Sequence, residues 1–539
     1  MPAGGHFVPG QRCPLLSIRR EAPLQAFRPI VATLFAGLAG LALATPGQPG
    51  TLDASWATLS AQGAGKLLTS FGNSNDVANA LLLQPDGKVI QVGHCNASTN
   101  GSVLSVCIAR FLPGRALDTS FNATGQIKAT YAAAPEFGPV GAALRSDGKL
   151  VVAGRCAPAA VGQACLLRYT SSGALDSSFG NAGVALGGTL GSTGMSIYNM
   201  ALQADGKIIL VGTCQGATTY DFCVQRFTAD GAIDTGFNAS ATGSLVLDMN
   251  ANFDYATSAL VQSDGKIVVA GGCSNGGVYL YCALRLLANG SIDTSFAQSG
   301  KLLATSSGGA QAVAVQPDGK LLLAGQCAHT VGMFIKGDFC LLRFNASGSV
   351  DTSFGATGQL LTTVGNYGNM AYSLAVQPDG RIVAAGSCGN GGSNSAADIC
   401  VQRFTAEGAL DTTFNGTGYV ITPIGSGGFY FLYAPKPAVA LYPDGRIIVG
   451  SSCPGGSGDY DFCSARYDGG PFGYRACSND LDGDGRVLAT TDALILARVA
   501  LGMTGSAVTA GISFPAEASR TSWTAVRDYL VNQCAMALP

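Results

Sequence analysis

A chain of 539 residues is long enough for a large core and for more than one domain. Its formal net charge of −2 gives no electrostatic case for nucleic acid or an anionic membrane surface as a partner. Only 12% of the residues are charged, 75 are glycine and three are histidine (His6, His94 and His329). This suits short strands and glycine-rich turns, and leaves little material for histidine catalysis or zinc.

The chain opens on an export signal, residues 1–44. Arg19, Arg20 and Arg28 precede an apolar run from Ile30 to Leu43, and Ala42-Leu43-Ala44 supplies the small-x-small pattern of a cleavage site. The run is short for a membrane span and Pro46 follows it, so a retained anchor is the weaker reading, and the mature chain carries no predicted membrane span. The protein is expected to be secreted, extracellular or at the cell surface, with the periplasm as a further location. Cys13 leaves with the leader.

From residue 50 to 468 one unit repeats. Asp-Gly before Lys or Arg recurs at Asp86, Asp147, Asp205, Asp264, Asp318, Asp379 and Asp444. Each copy lies between two short apolar runs and reads as the turn of a β-hairpin. A variable loop follows, then Cys-x-x-Arg, a turn into Leu-Asp-Thr-Ser-Phe or a variant, and a short strand. Four strands in about 60 residues make one propeller blade. The chain starts out of phase, with Leu52-Asp53-Ala54-Ser55-Trp56 and a strand over Gly65 to Leu68 before any hairpin, and ends on a third strand near Cys463 to Tyr467 with no fourth. That predicts an all-β, seven-bladed propeller whose last blade is completed by the N-terminal strand. The Gln-Pro-Asp-Gly-Lys hairpins (84–88, 316–320) and Leu-Asp-Thr-Ser-Phe (117–121) resemble the delta-60 repeat family of bacterial secreted proteins. The resemblance implies a β-propeller and brings no settled activity.

Fourteen of the seventeen cysteines fall two per blade: Cys95 with Cys107, Cys156 with Cys165, Cys214 with Cys223, Cys273 with Cys282, Cys327 with Cys340, Cys388 with Cys400, and Cys453 with Cys463. The first of each pair ends the second strand and its partner starts the third, so the two are expected to stand opposite each other and bond. A metal site would need ligands converging from different blades, which radial symmetry keeps apart. Cys477 and Cys534 are expected to pair across the C-terminal region.

Strand alternation puts the Asp-Gly turns and the Leu-Asp-Thr-Ser-Phe turns on one face, and the second-to-third loops with the blade connections on the other. The repeated Arg (Arg110, Arg168, Arg226, Arg285, Arg343, Arg403, Arg466) is expected to pair with an Asp of its blade, the alternative being a ring-shaped anion site. The loop face varies in length and carries aromatics, with Tyr220, Tyr279, Tyr281, Tyr367, Tyr430 and Tyr460 as the candidate binding residues. Any one of these rings has a competing role as a plug between blades. Aromatic loops on a rigid scaffold suit a glycan or protein ligand. A carbohydrate-active enzyme is the alternative, and a purely structural envelope component the third reading; catalytic residues cannot be assembled from the acids and two mature histidines.

Residues 475–539 depart from the repeat. Asp480, Asp482 and Asp484 take positions 1, 3 and 5 of a calcium loop, Gly485 position 6, and Arg486 offers its carbonyl at 7. This resembles one calcium-binding half of a dockerin, an EF-hand-like loop followed by a helix over Asp492 to Leu501, with a second helix around Ala525 to Val531. The departures are Thr491 at position 12, with the carboxylate of Asp492 one residue late, and the lack of a second loop, which puts cohesin binding in doubt. Ca²⁺ is the expected cofactor.

Overall fold

The computed structural model describes residues 48–56, 64–72, 75–96, 104–132, 137–156, 163–188, 194–331, 334–355, 357–364, 369–389, 396–423, 429–430, 436–455, 459–470, 481–482, 490–515 and 518–532. The predicted signal peptide, Asp480, Asp484, Arg486, Tyr367, Cys477 and Cys534 lie outside them. Among the described residues no helix is long and apolar enough to cross a membrane.

Seven antiparallel sheets make seven blades, the first six with four strands in sequence order from the inside outward; the sixth also takes the short strand Phe429–Tyr430. Blade 1 comprises Asp76–Leu83, Val89–Asn96, Leu104–Phe111 and Gln126–Ala129. In blade 7 the order is Ala438–Leu441, Ile447–Pro454 and Tyr460–Tyr467, then the N-terminal strand Lys66–Thr69 at the outer edge. There Leu67 faces Ser464 and Leu68 faces Cys463, so the two chain ends share the last blade. The second and third strands are apolar on both faces because each blade packs between two others; Val89–Asn96 and Ile382–Gly389 are buried almost throughout. Trp56 is fully buried and meets Phe111 of blade 1 edge-on with ring centres 6.2 Å apart, tying the closing segment to the first blade.

The repeated Arg and Asp form the framework of the opposite face. Arg168 Nε lies 2.7 Å from Asp176, and the pairs Arg226–Asp234, Arg285–Asp293, Arg343–Asp351 and Arg403–Asp411 repeat that contact at 2.8 Å. The hairpin lysine supplies a second cation, as in Lys149 Nζ to Asp176 at 2.9 Å. The guanidinium stacks on the Phe four residues past the turn's start, 4.4 Å for Arg285 on Phe296. It then donates from Nη1 to a backbone carbonyl of the next blade: Arg110 to Ser171, Arg168 to Ala229, Arg285 to Ala346, and Arg403 to Gly469. Blade 7 borrows its acid. Arg466 donates to Asp53 (2.7 Å) and Ser55 (2.7 Å), stacks over Trp56, and reaches Pro113 of blade 1. Although burial raises the carboxyls, hydrogen bonds from Ser295 and Lys266 and the Arg285 charge bring Asp293 down to about 2. The expected Arg–Asp pairing is therefore a structural network, not an anion site.

Seven disulfides join the predicted partners, with Cα–Cα distances from 5.3 to 5.9 Å. The register corrects the expectation that the two cysteines stand directly opposite. Cys95 faces Ser105 and Cys107 faces Gly93, so the bond runs diagonally across the ladder. The glycine has its own cause. A register shift at Asn79 drives the Val77 carbonyl toward the second strand, and a Cβ on Gly93 would stand 1.9 Å from that oxygen. Gly271 meets the Tyr255 carbonyl in the same way in blade 4. Blade 7, whose short inner strand pairs without a shift, carries Ser451 at this position.

The C-terminal residues form a small helical module with helices α1 (Asp492–Ala500), α2 (Ser506–Thr509) and α3 (Trp523–Asn532). Leu481, Ile495, Val499, Val508, Val526, Tyr529 and Leu530 are its buried core.

Candidate functional site

The inner strands begin on the loop face, and a β-bulge re-aims one side chain near the start of each of the first six. In blades 1, 2 and 3 the bulged residues are Asn79, Val140 and Tyr198, and all three line a cavity of about 310 Å³ at this end of the central channel. His94 and Arg155 line it too. Each is the middle residue of a Gly-x-Cys segment at the end of the second strand, which places it one residue from the disulfide. His94 is largely buried, burial depresses its pKa, and its Nδ1 has no hydrogen-bond partner among the described residues. Arg155 is exposed at the cavity wall.

Tyr198 connects this cavity to an aromatic strip. It is 39% exposed, and Tyr220, Phe253 and Tyr279 are each 40% exposed. Tyr220 and Phe253 lie 5.4 Å apart, Phe253 and Tyr279 6.3 Å, and Tyr255 and Tyr279 5.3 Å. Burial, with Tyr279 and Tyr198 beside it, pushes Tyr255 up to about 12, so that hydroxyl stays neutral at physiological pH. Tyr220, Phe253 and Tyr279, with Tyr255 between them, form a contiguous aromatic surface on blades 3 and 4, while Tyr198 stands toward the cavity with Lys436 Nζ 5.8 Å over its ring.

Beneath the strip lie three carboxylates. Asp221 follows Tyr220, Asp254 follows Phe253, and Asp248 starts the connection between them; one oxygen of each lies within 4.8 Å of the others. That group could hold a divalent ion. Asp254 is fully buried, with Oδ2 accepting from the backbone N–H of Met249 (2.7 Å) and Asn250 (3.2 Å). Burial first, then the Asp248 charge, raises its pKa to about 6. Asp221 is raised for the same two reasons, against the Lys301 charge.

The predicted binding residues therefore divide. Tyr220 and Tyr279 stand exposed in the strip, and Tyr460 is half-buried at the start of its strand. Tyr281 is removed from the candidate face: it is fully buried in the core between blades 4 and 5, the plug that the sequence allowed as its other role. Tyr430 sits in the short Phe429–Tyr430 strand opposite Ala396, and its side chain lies outside the described residues. In the C-terminal module, Asp482 and Asp492 come together. Asp492 Oδ1 accepts from the N–H of Leu481 and of Asp482 (3.1 Å), and its Oδ2 accepts from the Thr491 hydroxyl (3.2 Å), so this acid braces the start of the loop. Sequence reasoning missed His94, Arg155, Tyr198 as a cavity residue, and the acid cluster. The Gly-x-Cys spacing was the available signal for the first two.

At the other end of the channel a depression of about 670 Å³ is lined by Arg145, Gln203, Asp205 and neighbours. Its polar groups are engaged in the framework: Arg145 pairs with Asp147 at 3.3 Å and Gln203 accepts from Arg226 at 3.2 Å.

The repeat has a recognised counterpart. Residues 145–179, 203–237, 262–296, 316–354 and 377–414 match DUF5122, described as a domain of unknown function, beta-propeller. Five of the seven blades carry the match. No curated protein matches the chain. Solved structures similar to it include a polysaccharide lyase, Uly1 (12% identity, 74% of this chain and 91% of that one, TM-score 0.39). Sqt1 from Chaetomium thermophilum is 12% identical over 70% of this chain and 80% of its own, with a TM-score of 0.34. Drosophila Semaphorin 1b, extracellular domains 1–2, is 11% identical over 81% and 90%, with a TM-score of 0.37.

Proposed function

We propose that the protein is an exported recognition propeller that holds a saccharide across its loop face, without catalysis. The observation that carries this reading is the exposed strip of Tyr220, Phe253 and Tyr279 beside a cavity lined by Tyr198, with Arg155 and His94 in its wall. Aromatic faces stack on the C–H faces of sugar rings, and the exposed Arg155 offers donors to hydroxyl or carboxylate groups, whereas the bulged Asn79 already donates from Nδ2 to the Pro139 carbonyl. The acids beside the strip do not suit hydrolysis: Asp254, with its raised pKa, is sealed from solvent and tied to backbone amides. A glycan array is the first test. Binding should fall about tenfold in Tyr279→Ala and Phe253→Ala, as for a buried aromatic anchor. Binding to no saccharide, together with capture of a protein ligand on the same face, would replace glycan by protein.

For the C-terminal module the proposed cofactor is calcium, held by Asp480, Asp482, Asp484 and the Arg486 carbonyl, all oxygen donors at loop spacing. With Asp492 occupied as a brace, the loop lacks a bidentate acid at its end, which predicts an affinity at the weak, extracellular end of the range, about 10⁻⁴ to 10⁻³ M. Calcium titration of an Asp480→Ala, Asp484→Ala double variant should show that weak phase gone; an unchanged titration would refute the assignment.

A further inference from the structure

The residue just before the second-strand cysteine has a structural duty in three of the blades: it ties its blade to the next. Thr213 of blade 3 donates from Oγ1 to the Asp254 carbonyl of blade 4 at 3.4 Å, and Gln326 of blade 5 from Nε2 to the Asn369 carbonyl of blade 6 at 3.1 Å. In blade 7, Ser452 Oγ accepts from the Ala78 N–H of blade 1 at 2.7 Å. Blades 1 and 2 place His94 and Arg155 here, and neither makes the tie. His94 leaves Nδ1 without a partner, and the Arg155 guanidinium forms no hydrogen bond or ion pair among the described residues. Thr213 and Ser452 are buried, whereas Arg155 is exposed. Two neighbouring blades have thus exchanged a buried bridge for side chains that line the cavity of about 310 Å³.

A second cation comes from across the ring. Lys436 lies just before Ala438–Leu441, the inner strand of blade 7, and its Nζ stands 5.8 Å over the ring of Tyr198, the bulged residue of blade 3. Blades 7 and 3 are not neighbours, so this contact crosses the channel. The lysine is solvent-accessible, yet the protein around it desolvates the ammonium enough to lower its pKa, with no carboxylate acting against that. Among the described residues no acid lines the cavity, and Ser196 adds a hydroxyl. Cations without counter-charges, set between low-dielectric walls, concentrate anions. The arginine fork pairs with a carboxylate or sulfate through two parallel N–H bonds, a match that a neutral hydroxyl lacks.

We propose that the channel mouth is an anion subsite: Arg155 pairs with a carboxylate or sulfate group of the glycan, and Lys436 adds to the positive field there. The inference rests on the saccharide reading above and narrows it to acidic saccharides. The aromatic strip holds sugar rings, and the cavity selects their charge.

The test uses the full-length exported protein and matched pairs of oligosaccharides. Uronate oligomers are set against the same oligomers with carboxyls reduced to hydroxymethyl groups, and sulfated oligomers against unsulfated ones. At least one acidic set should bind about tenfold more tightly than its neutral counterpart, as for a hydrogen bond to a charged group. The pair that shows the gap identifies the group held. Raising the salt to about 0.5 M should narrow the gap. Arg155→Ala should close it, Arg155→Lys should restore part of it by returning charge without the fork, and Lys436→Ala should narrow it. Arg155→Ala should melt as the unmodified protein does, since its guanidinium holds no other part of the fold. Tyr279→Ala should weaken acidic and neutral members alike and keep the gap. Acidic and neutral members bound equally, or a gap that survives Arg155→Ala, overturns the anion subsite and leaves the saccharide reading standing. No saccharide of either kind bound overturns both.

Discussion

Asp53→Ala should destabilise the propeller by about 3–5 kcal/mol, the cost of leaving one member of a buried ion pair alone. Arg466 is 1% exposed, donates to Asp53 and Ser55, and reaches Pro113 on the first blade. Removing the carboxylate strands that guanidinium between the two chain ends, at the seam inside blade 7 where only the pairing of Lys66–Thr69 with Tyr460–Tyr467, and no adjoining chain, holds the outer strand to the other three. The same change at Asp293, inside the ring, removes an identical pair (Arg285 Nε 2.8 Å away) from two blades linked by the chain itself. Urea unfolding of both variants separates the effects. Asp53→Ala should lower the midpoint more and make the transition less cooperative, because an open ring lets blades unfold from either end. Equal midpoints would show that closure adds nothing beyond the pair itself.

The second large effect is redox. Each blade is closed by a disulfide whose two cysteines are separated by 9 to 13 positions, and loop entropy assigns each about 2–3 kcal/mol. Seven such bonds in one cooperative ring exceed the net stability typical of a domain. Full reduction should therefore abolish the folded state at 37 °C, read as loss of the near-ultraviolet signal, while reduction of one bond lowers the midpoint without unfolding the chain. The paired cysteines are at most 4% exposed, so slow reduction without denaturant is part of the expectation. A fully reduced protein that melts within a few degrees of the oxidised one would contradict it.

What the sequence revealed follows from what repeats. The Asp-Gly turns and the cysteine pairs recur in every blade, and the Arg and Asp eight positions apart in six of them, so period and phase alone gave the blade count, the face assignments and the shared last blade. Features made by the contact of two blades were hidden. Asp221 and Asp254 are 33 positions apart and meet only because adjacent blades pack; their separate Asp-Phe-Cys and Phe-Asp contexts show no link. Tyr281 sits one residue before its cysteine and reads as a loop aromatic like Tyr279, but it stands two residues deeper along the same strand, opposite Gly272, and is buried in the blade interface. Tyr198 owes its exposure to a bulge, and a one-residue register shift leaves no mark in composition. The diagonal course of the disulfides was missed for the same reason, though the glycine of Gly-x-Cys was its visible trace.

The division of labour between the faces is the claim on which the rest depends. It is tested most directly by comparing ligand binding of two triple variants that leave the Arg–Asp framework intact. One carries Tyr220→Ala, Phe253→Ala and Tyr279→Ala on the loop face. The other carries Asp205→Ala, Asp264→Ala and Asp318→Ala, exposed turn acids on the opposite face. With the best ligand from the glycan array, the first should lose binding and the second should bind as the unmodified protein does. Retained binding in the first and loss in the second would contradict the account and move the site to the Asp-Gly face.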